Sequence, residues 1–157
     1  MNFLEQLVTE WYAYQGYYVR PNVKFGKRLR GGYEGEMDVV AFNPEDRTLV
    51  HVETSSDSDS WEERRRRFRK KFETGAQYYN TLFRFEFRTV KKIAVVGFSK
   101  QKSRVDFGSG VELVTIPEMI MRITEKIRRL RPAEAAIPEG YPLLRAIQFA
   151  VWYGGTS

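Results

Sequence analysis

The segment GEMDVVAFNPEDRTLVHVETSS, residues 35–56, constrains this chain more than any other. Two runs rich in β-branched and apolar residues, EMDVVAF and TLVHVE, flank NPEDR, whose Asn, Pro and Asp are turn formers. That pattern predicts an antiparallel hairpin. A turn centred between Glu45 and Asp46 sets Asp38 directly opposite Glu53. Facing residues on one side of a sheet have Cβ atoms roughly 4.5–5.5 Å apart, where two like charges repel unless something neutralises them. A divalent cation is one solution, since two carboxylates from adjoining strands plus water suit Mg²⁺. A nearby Lys or Arg is the other. A slip of one residue on either strand turns one acid to the opposite face and removes the conflict.

The hairpin sits in an alternating order of elements. NFLEQLVTEWYAYQGYYV reads as an opening helix, with Phe3, Leu4, Leu7, Val8 and Trp11 at helical spacing and Gly16 as its stop. Asn2 and Glu5 have the spacing of a capping box. YYVRPNVKF is extended, and Pro21 favours an edge strand. GKRLRGGYEG is a basic, glycine-rich loop without the GK[ST] ending of a phosphate-binding loop. SSDSDS connects the hairpin to a long helix from Trp61 to about Leu82, with apolar residues every three or four positions. FRFEFRT alternates with period two and suits either a strand or a helix exit. KKIAVVGF and VELVTI are strands. PEMIMRITEKIRRL is a helix with Pro117 at its first position, and YPLLRAIQFAVWYG is a last helix after a Pro- and Ala-containing link. The expected fold class is α/β, a central mixed sheet covered by helices on both faces. A single domain spanning 1–157 is expected, with 132–157 as a C-terminal helical extension.

Composition narrows the chemistry. Cysteine is absent, which excludes disulfides and cysteine-ligated zinc, and His51 is the single histidine. No nucleophile-elbow glycine pattern accompanies His51. With 26 Lys and Arg against 20 Asp and Glu, the net charge is +6, which suits an anionic partner such as nucleic acid or a membrane surface. No apolar run is long enough for a membrane span and the N-terminus carries early acids, so a cytoplasmic location is expected.

A glutamate on the first helix, then GEMD, a hairpin ending in VET and a basic helix together resemble the PD-(D/E)XK nuclease superfamily over roughly residues 3–98. That group includes restriction-endonuclease-like enzymes and Holliday-junction resolvases. The resemblance implies a restriction-endonuclease-like fold and a metal-dependent endonuclease hydrolysing DNA phosphodiester bonds. It also implies Mg²⁺ or Mn²⁺ held by Asp38 and Glu53, with Glu5 able to join them. The superfamily motif ends in Glu, any residue, Lys, whereas this chain has Glu53, Thr54, Ser55. A serine hydroxyl cannot supply the charge of that lysine. Either activity is lost, leaving a non-catalytic nucleic-acid-binding relative, or the cation comes from the following helix.

That helix carries RRRRFRKKFETG. Lys71 falls on the flank of its apolar stripe and Lys70 points almost the opposite way, so Lys71 is the expected substitute and Lys70 the second choice. Arg64 and Arg67 share the Lys71 flank and are candidate phosphate contacts, alongside Lys24, Lys27, Arg28 and Arg30 of the glycine-rich stretch. A solvated basic face is the competing reading of the helix. Glu36 is a candidate auxiliary acid, expected on the Asp38 face if the strand is regular. Gln77 and Tyr78 follow on the same helix, and His51 is expected on the Glu53 face. A homodimer suits cleavage of both strands, and the aromatic C-terminal segment reads as either a core helix or a dimer surface.

Overall fold

The computed structural model describes residues 1–97, 107–108 and 110–155. Helix α1 (Phe3–Tyr14) leads into strands β1 (Tyr18–Lys27), β2 (Tyr33–Asn43) and β3 (Thr48–Ser55). Helix α2 (Trp61–Ala76) and the short α3 (Tyr79–Leu82) follow, then β4 (Thr89–Val96), β5 (Val111–Thr115), α4 (Ile116–Ile127), a single turn α5 (Pro132–Ala135) and α6 (Pro142–Gly154). The five strands lie in the order β1-β2-β3-β4-β5. β1, β2 and β3 pair antiparallel, and β4 and β5 continue in parallel. The sheet is mixed, as expected, and β1 with Pro21 is an edge strand. Phe98, the end of the strand expected at KKIAVVGF, lies outside the described residues.

Each face has its own core. Leu4, Leu7 and Val8 of α1 pack with Val39, Ala41, Val50 and Val52 of the sheet and with Met119, Ile123 and Ile127 of α4. On the other face α2 lays Phe68 and Phe72 over Ala94 and Val96, while Tyr79 and Phe83 pack on Val23, Phe25, Met37, Val40 and Leu49. Phe3, expected within the apolar stripe of α1, is instead exposed.

Four of the expected elements differ in the structure. The glycine-rich loop shrinks to residues 28–32, because β1 continues through Lys27 and the turn closes by Arg28 N–H to the Gly32 carbonyl at 3.0 Å. The long helix breaks after Ala76. Tyr78 N–H returns to the Gly75 carbonyl at 2.9 Å, and the reset lets Tyr78 stack on Phe25 while Tyr79 turns inward to His51. Pro117 occupies the second helical position of α4 behind the Thr115 cap, which forms a capping box with Glu118. FRFEFR is neither strand nor helix exit but a connector without ladder bonds between α3 and β4.

α6 packs against α1 and α4. Its N-terminus has no side-chain cap of its own; Glu10 of α1 supplies one, accepting the N–H groups of Leu143 at 2.9 Å and Leu144 at 3.0 Å. Gln148, also buried, accepts Ile137 N–H and donates to the carbonyls of Leu130 and Ala135, fastening the link to α6. Glu10→Ala orphans two helix-terminal donors, the buried one of Leu144 and the half-buried one of Leu143, and lowers stability by about 2 kcal/mol. Glu10→Gln keeps an accepting oxygen and loses less. Urea denaturation followed by far-UV circular dichroism measures both, and equal losses would refute a capping role for this side chain.

Candidate active site

The β2–β3 ladder pairs Val40 with His51 and Val39 with Val52, the register expected from the turn, and then stops. At the next position Asp38 leaves the ladder and enters the site through its side chain. Its Oδ2 accepts the Thr54 N–H at 2.8 Å and the Thr54 hydroxyl at 3.2 Å. On the other side of β2, Asn22 of β1 adopts a left-handed backbone at φ 52°. The strand pair switches faces here. Val39 and Ala41 face α1, whereas Met37, which regular alternation would keep with them, packs on the α2 side. For this reason Glu36 does not partner Asp38. Its carboxylate accepts from the Asn22 amide at 3.1 Å at the rim of the site.

Asp38 and Glu53 share the α2 face, and the group between them is Lys71. Its ammonium donates to Asp38 Oδ1 at 3.0 Å and also to Glu53 Oε2. Lys71, not Lys70, reaches the hairpin. Glu53 is fully buried, and its second oxygen, Oε1, lies 2.7 Å from His51 Nε2. His51 Nδ1 lies 2.6 Å from the Tyr79 hydroxyl. Burial raises the Tyr79 pKa, so the hydroxyl stays protonated and donates to Nδ1, which leaves Nε2–H to donate to Glu53. The result is one polar chain, Tyr79–His51–Glu53–Lys71–Asp38–Thr54, crossing an otherwise apolar layer.

Burial pushes the Glu53 carboxyl up, and the neighbouring Asp38 adds to the rise; the His51 hydrogen bond and the Lys71 charge oppose it. For Lys71, burial works against the ammonium, but Glu53 and Asp38 outweigh it and the pKa is raised. Above this ion pair opens a cleft of about 450 Å³, with Arg28, Glu36, Arg67, Lys70 and Thr74 among its walls.

Other expected site residues are placed elsewhere. Glu5 closes the capping box, accepting the Asn2 N–H at 3.2 Å and the Asn2 side-chain amide at 2.7 Å, and approaches Asn22 at 3.5 Å. It is not gathered with Asp38 and Glu53: among the described residues no three His, Cys, Asp or Glu side chains form a group able to hold a metal. Arg64 is not a phosphate contact in this arrangement. It is buried, donates to Asp57 Oδ1 at 3.1 Å and to the Asp57 carbonyl, and lies over the Trp61 ring. Arg67 reaches the cleft but is held by Asp57 and by Asp59 at 2.7 Å, and it donates to Ser55 Oγ at 3.1 Å. Lys27 ends β1 in solvent outside the cleft walls. Tyr78 donates to Glu34, and Gln77 closes α2.

Ser55 donates to Asp57. Partial burial alone would raise the Asp57 pKa, but hydrogen bonds from Ser55, Arg64, Arg67 and the Asp59 N–H hold it below the ordinary carboxylate range. Thr54, Asp57 and Tyr79 carry site geometry that sequence reading missed. The hairpin register signalled Asp38 and Glu53, the helical flank signalled Lys71, and the two-residue spacing placed His51 on the Glu53 face.

Because the Glu53 carboxyl is shifted up, its contribution to stability is greatest below the ordinary glutamate pKa and is lost as pH rises through its folded value. The Lys71 ammonium opposes that loss. Lys71→Met therefore costs most near pH 8, about 2 kcal/mol given that the lysine side chain is 34% exposed, and costs less near pH 5. Urea denaturation of both proteins at the two pH values reads the difference; a penalty independent of pH would contradict this account.

No protein-family model matches the chain, and no curated protein matches it. Among solved structures, the small subunit of the heterodimeric restriction endonuclease R.BspD6I is similar, with a TM-score of 0.34 and 12% identity, covering 94% of this chain and 89% of that one. The architecture described here, a mixed five-stranded sheet between helices, rests on the strand order and packing of the chain itself. Among the described residues no helix is long and apolar enough to cross a membrane.

Proposed function

We propose that this chain is a Mg²⁺- or Mn²⁺-dependent DNA endonuclease, with Asp38 and Glu53 holding the metal and Lys71 as the cationic assistant. The observation that carries the proposal is convergence. Asp38 Oδ1 and Glu53 Oε2, from adjoining strands, aim at one point that Lys71 Nζ fills, and Lys71 itself lines a cleft together with Arg28, Arg67 and Lys70. Two hard oxygen donors suit a small dication, which commonly uses one or two carboxylates and completes its shell with water. When bound, such an ion polarises a phosphoryl oxygen and lowers the pKa of its water.

The chain's own groups do the positioning. The Thr54 N–H aims Asp38, and His51, backed by Tyr79, aims Glu53. Lys71, with a raised pKa, keeps its proton near neutral pH and acts as a charge rather than as a general base. Its long, partly exposed side chain can swing from the carboxylates toward a phosphate in the cleft. Arg28 and Lys70 contribute to backbone binding, as does Lys27 nearby.

A second reading, a nucleic-acid binder without chemistry, is favoured by one feature: Lys71 already serves both carboxylates as counter-ion. Supercoiled plasmid and branched DNA incubated with Mg²⁺ or Mn²⁺ separate the two. Cleavage that Asp38→Ala abolishes and Lys71→Ala slows by about 10²–10³-fold is the expected result. Equal cleavage by wild type and Asp38→Ala overturns the assignment. Binding that weakens steeply with salt, without cleavage by the wild type, selects the second reading. Calorimetric titration with Mn²⁺ is expected to give heat with the wild type and none with Asp38→Ala.

A further inference from the structure

The connector from Phe83 to Arg88 forms a second surface that the carboxylate site does not use. Phe83 is buried against the sheet, whereas Phe85 is 41% exposed with its ring on Phe42 at 4.2 Å between centroids. Across the β1–β2 pair from Phe42 stands Tyr18, 71% exposed. Phe83 and Phe85 together separate two hollows. One, of about 160 Å³, lies toward Tyr18, Arg20 and Phe42; the other, of about 490 Å³, lies toward Arg47, Arg84 and Arg88.

The segment is held in place despite lacking ladder bonds. Arg88 N–H donates to the Arg47 carbonyl at 2.8 Å, and the Arg47 guanidinium pairs with Glu86 at 2.8 Å. Phe85 is thus a braced ring with one face on Phe42 and part of its surface in water. Arg20, Arg84 and Arg88 are exposed around it, and the acid of the connector, Glu86, is engaged by Arg47.

Exposed aromatic rings amid guanidinium groups fit a ligand with flat apolar rings on an anionic chain. A second copy of this chain fits poorly, since a two-fold contact would set arginines against arginines in a protein of net charge +6. A paired duplex fits poorly too, because its bases are already stacked and their faces hidden. We propose that the Phe85 ridge is a stacking platform for an unpaired nucleic-acid strand, with Arg20, Arg84 and Arg88 holding its phosphates. The proposal rests on the nucleic-acid reading above but not on cleavage. The ridge lies near the turn end of the β2–β3 hairpin and the carboxylates at the other end: four residues of β2 from Asp38 to Phe42, about 13 Å. Tyr79 and Phe83 cover the sheet between the two places, so a strand leaving the cleft would pass over the outside of α3 to reach the ridge, and the favoured substrate is DNA with a single-stranded branch or flap.

Fluorescence anisotropy of a labelled oligothymidine about 15 nucleotides long tests this with the full chain. Phe85→Ala is expected to weaken oligothymidine binding roughly tenfold, Phe85→Trp to preserve it, and Arg84→Ala with Arg88→Ala to lower its salt dependence. Binding and cleavage of blunt duplex are expected to stay within about twofold of wild type for Phe85→Ala. Thermal melting checks that the variants fold. Unchanged oligothymidine affinity in Phe85→Ala overturns the platform while leaving the duplex site standing. A wild type that sediments as a dimer, with Phe85→Ala a monomer, overturns it in favour of self-association. Loss of oligothymidine binding in Phe85→Ala with no cleavage by the wild type keeps the platform and removes the nuclease.

Discussion

A carboxylate with no solvent exposure, Glu53, sits in the middle of this protein, and much of the surrounding structure answers to it. Removing such a group from water is costly, and the mutual attraction of a buried ion pair offsets that cost only when the remaining lone pairs are also satisfied. Here one oxygen takes His51 and the other takes Lys71, and Lys71 is shared with Asp38. Each partner makes its own demand. His51 needs Tyr79, which reaches it because the helix breaks after Ala76. It also needs Gly75, where an added Cβ would stand 3.0 Å from His51 Cε1. Lys71 needs α2 to lie across the hairpin with its Phe68 and Phe72 stripe against the sheet. The polar chain thus specifies how two helical segments dock on one face, beyond what hydrophobic burial alone would select.

The other half of the site depends on a break in regularity. Had β2 kept its alternation, a continuous ladder would have paired Asp38 with Glu53 as simple cross-strand neighbours. Instead the ladder ends at Val39 and Val52, Asn22 takes up the twist, and the Asp38 carboxylate accepts the Thr54 N–H. The carboxylate replaces a lost backbone acceptor, so strand separation costs no unsatisfied donor at that position. The same separation leaves Asp38 Oδ1 directed at Lys71 beneath the cleft.

Much of this was legible in the residues, and the omissions have physical reasons. The NPEDR turn gave the hairpin register, and helical periodicity separated Lys71 from Lys70, because both signals are local. Glu36 does not stand beside Asp38 as alternation would have it, because alternation assumes a regular strand and nothing local announces that Asn22 will be left-handed. Arg64 shared the correct helical flank with Lys71 yet points to Asp57 and Trp61, for flank position sets direction but not the partner in reach. Glu5 answered to the nearest donors, those of Asn2, before any distant carboxylate. Trp61 to Leu82 has unbroken periodicity, but a tight His51–Gly75 contact, the inward Tyr79 and the stacking of Tyr78 on Phe25 decide the helix break, and all three are tertiary.

A serine at position 55 follows from how the next segment is anchored. Position 55 ends β3 just before the polar connector to α2, and its hydroxyl joins Asp57 and Arg67 in the network that, with Arg64, ties the connector to the first turns of the helix. A lysine there would bring a third cation to an aspartate already shared by two arginines and would lose the hydroxyl that both accepts from Arg67 and donates to Asp57. With the cation on α2, the same helix that is anchored by Arg64 and Arg67 delivers Lys71 two turns beyond the first and one beyond the second. The distance from anchor to carboxylate is then set by helical rise rather than by the end of a strand. Anchoring the connector and charging the site become tasks of one rigid element, which is why the two functions can occupy separate residues here.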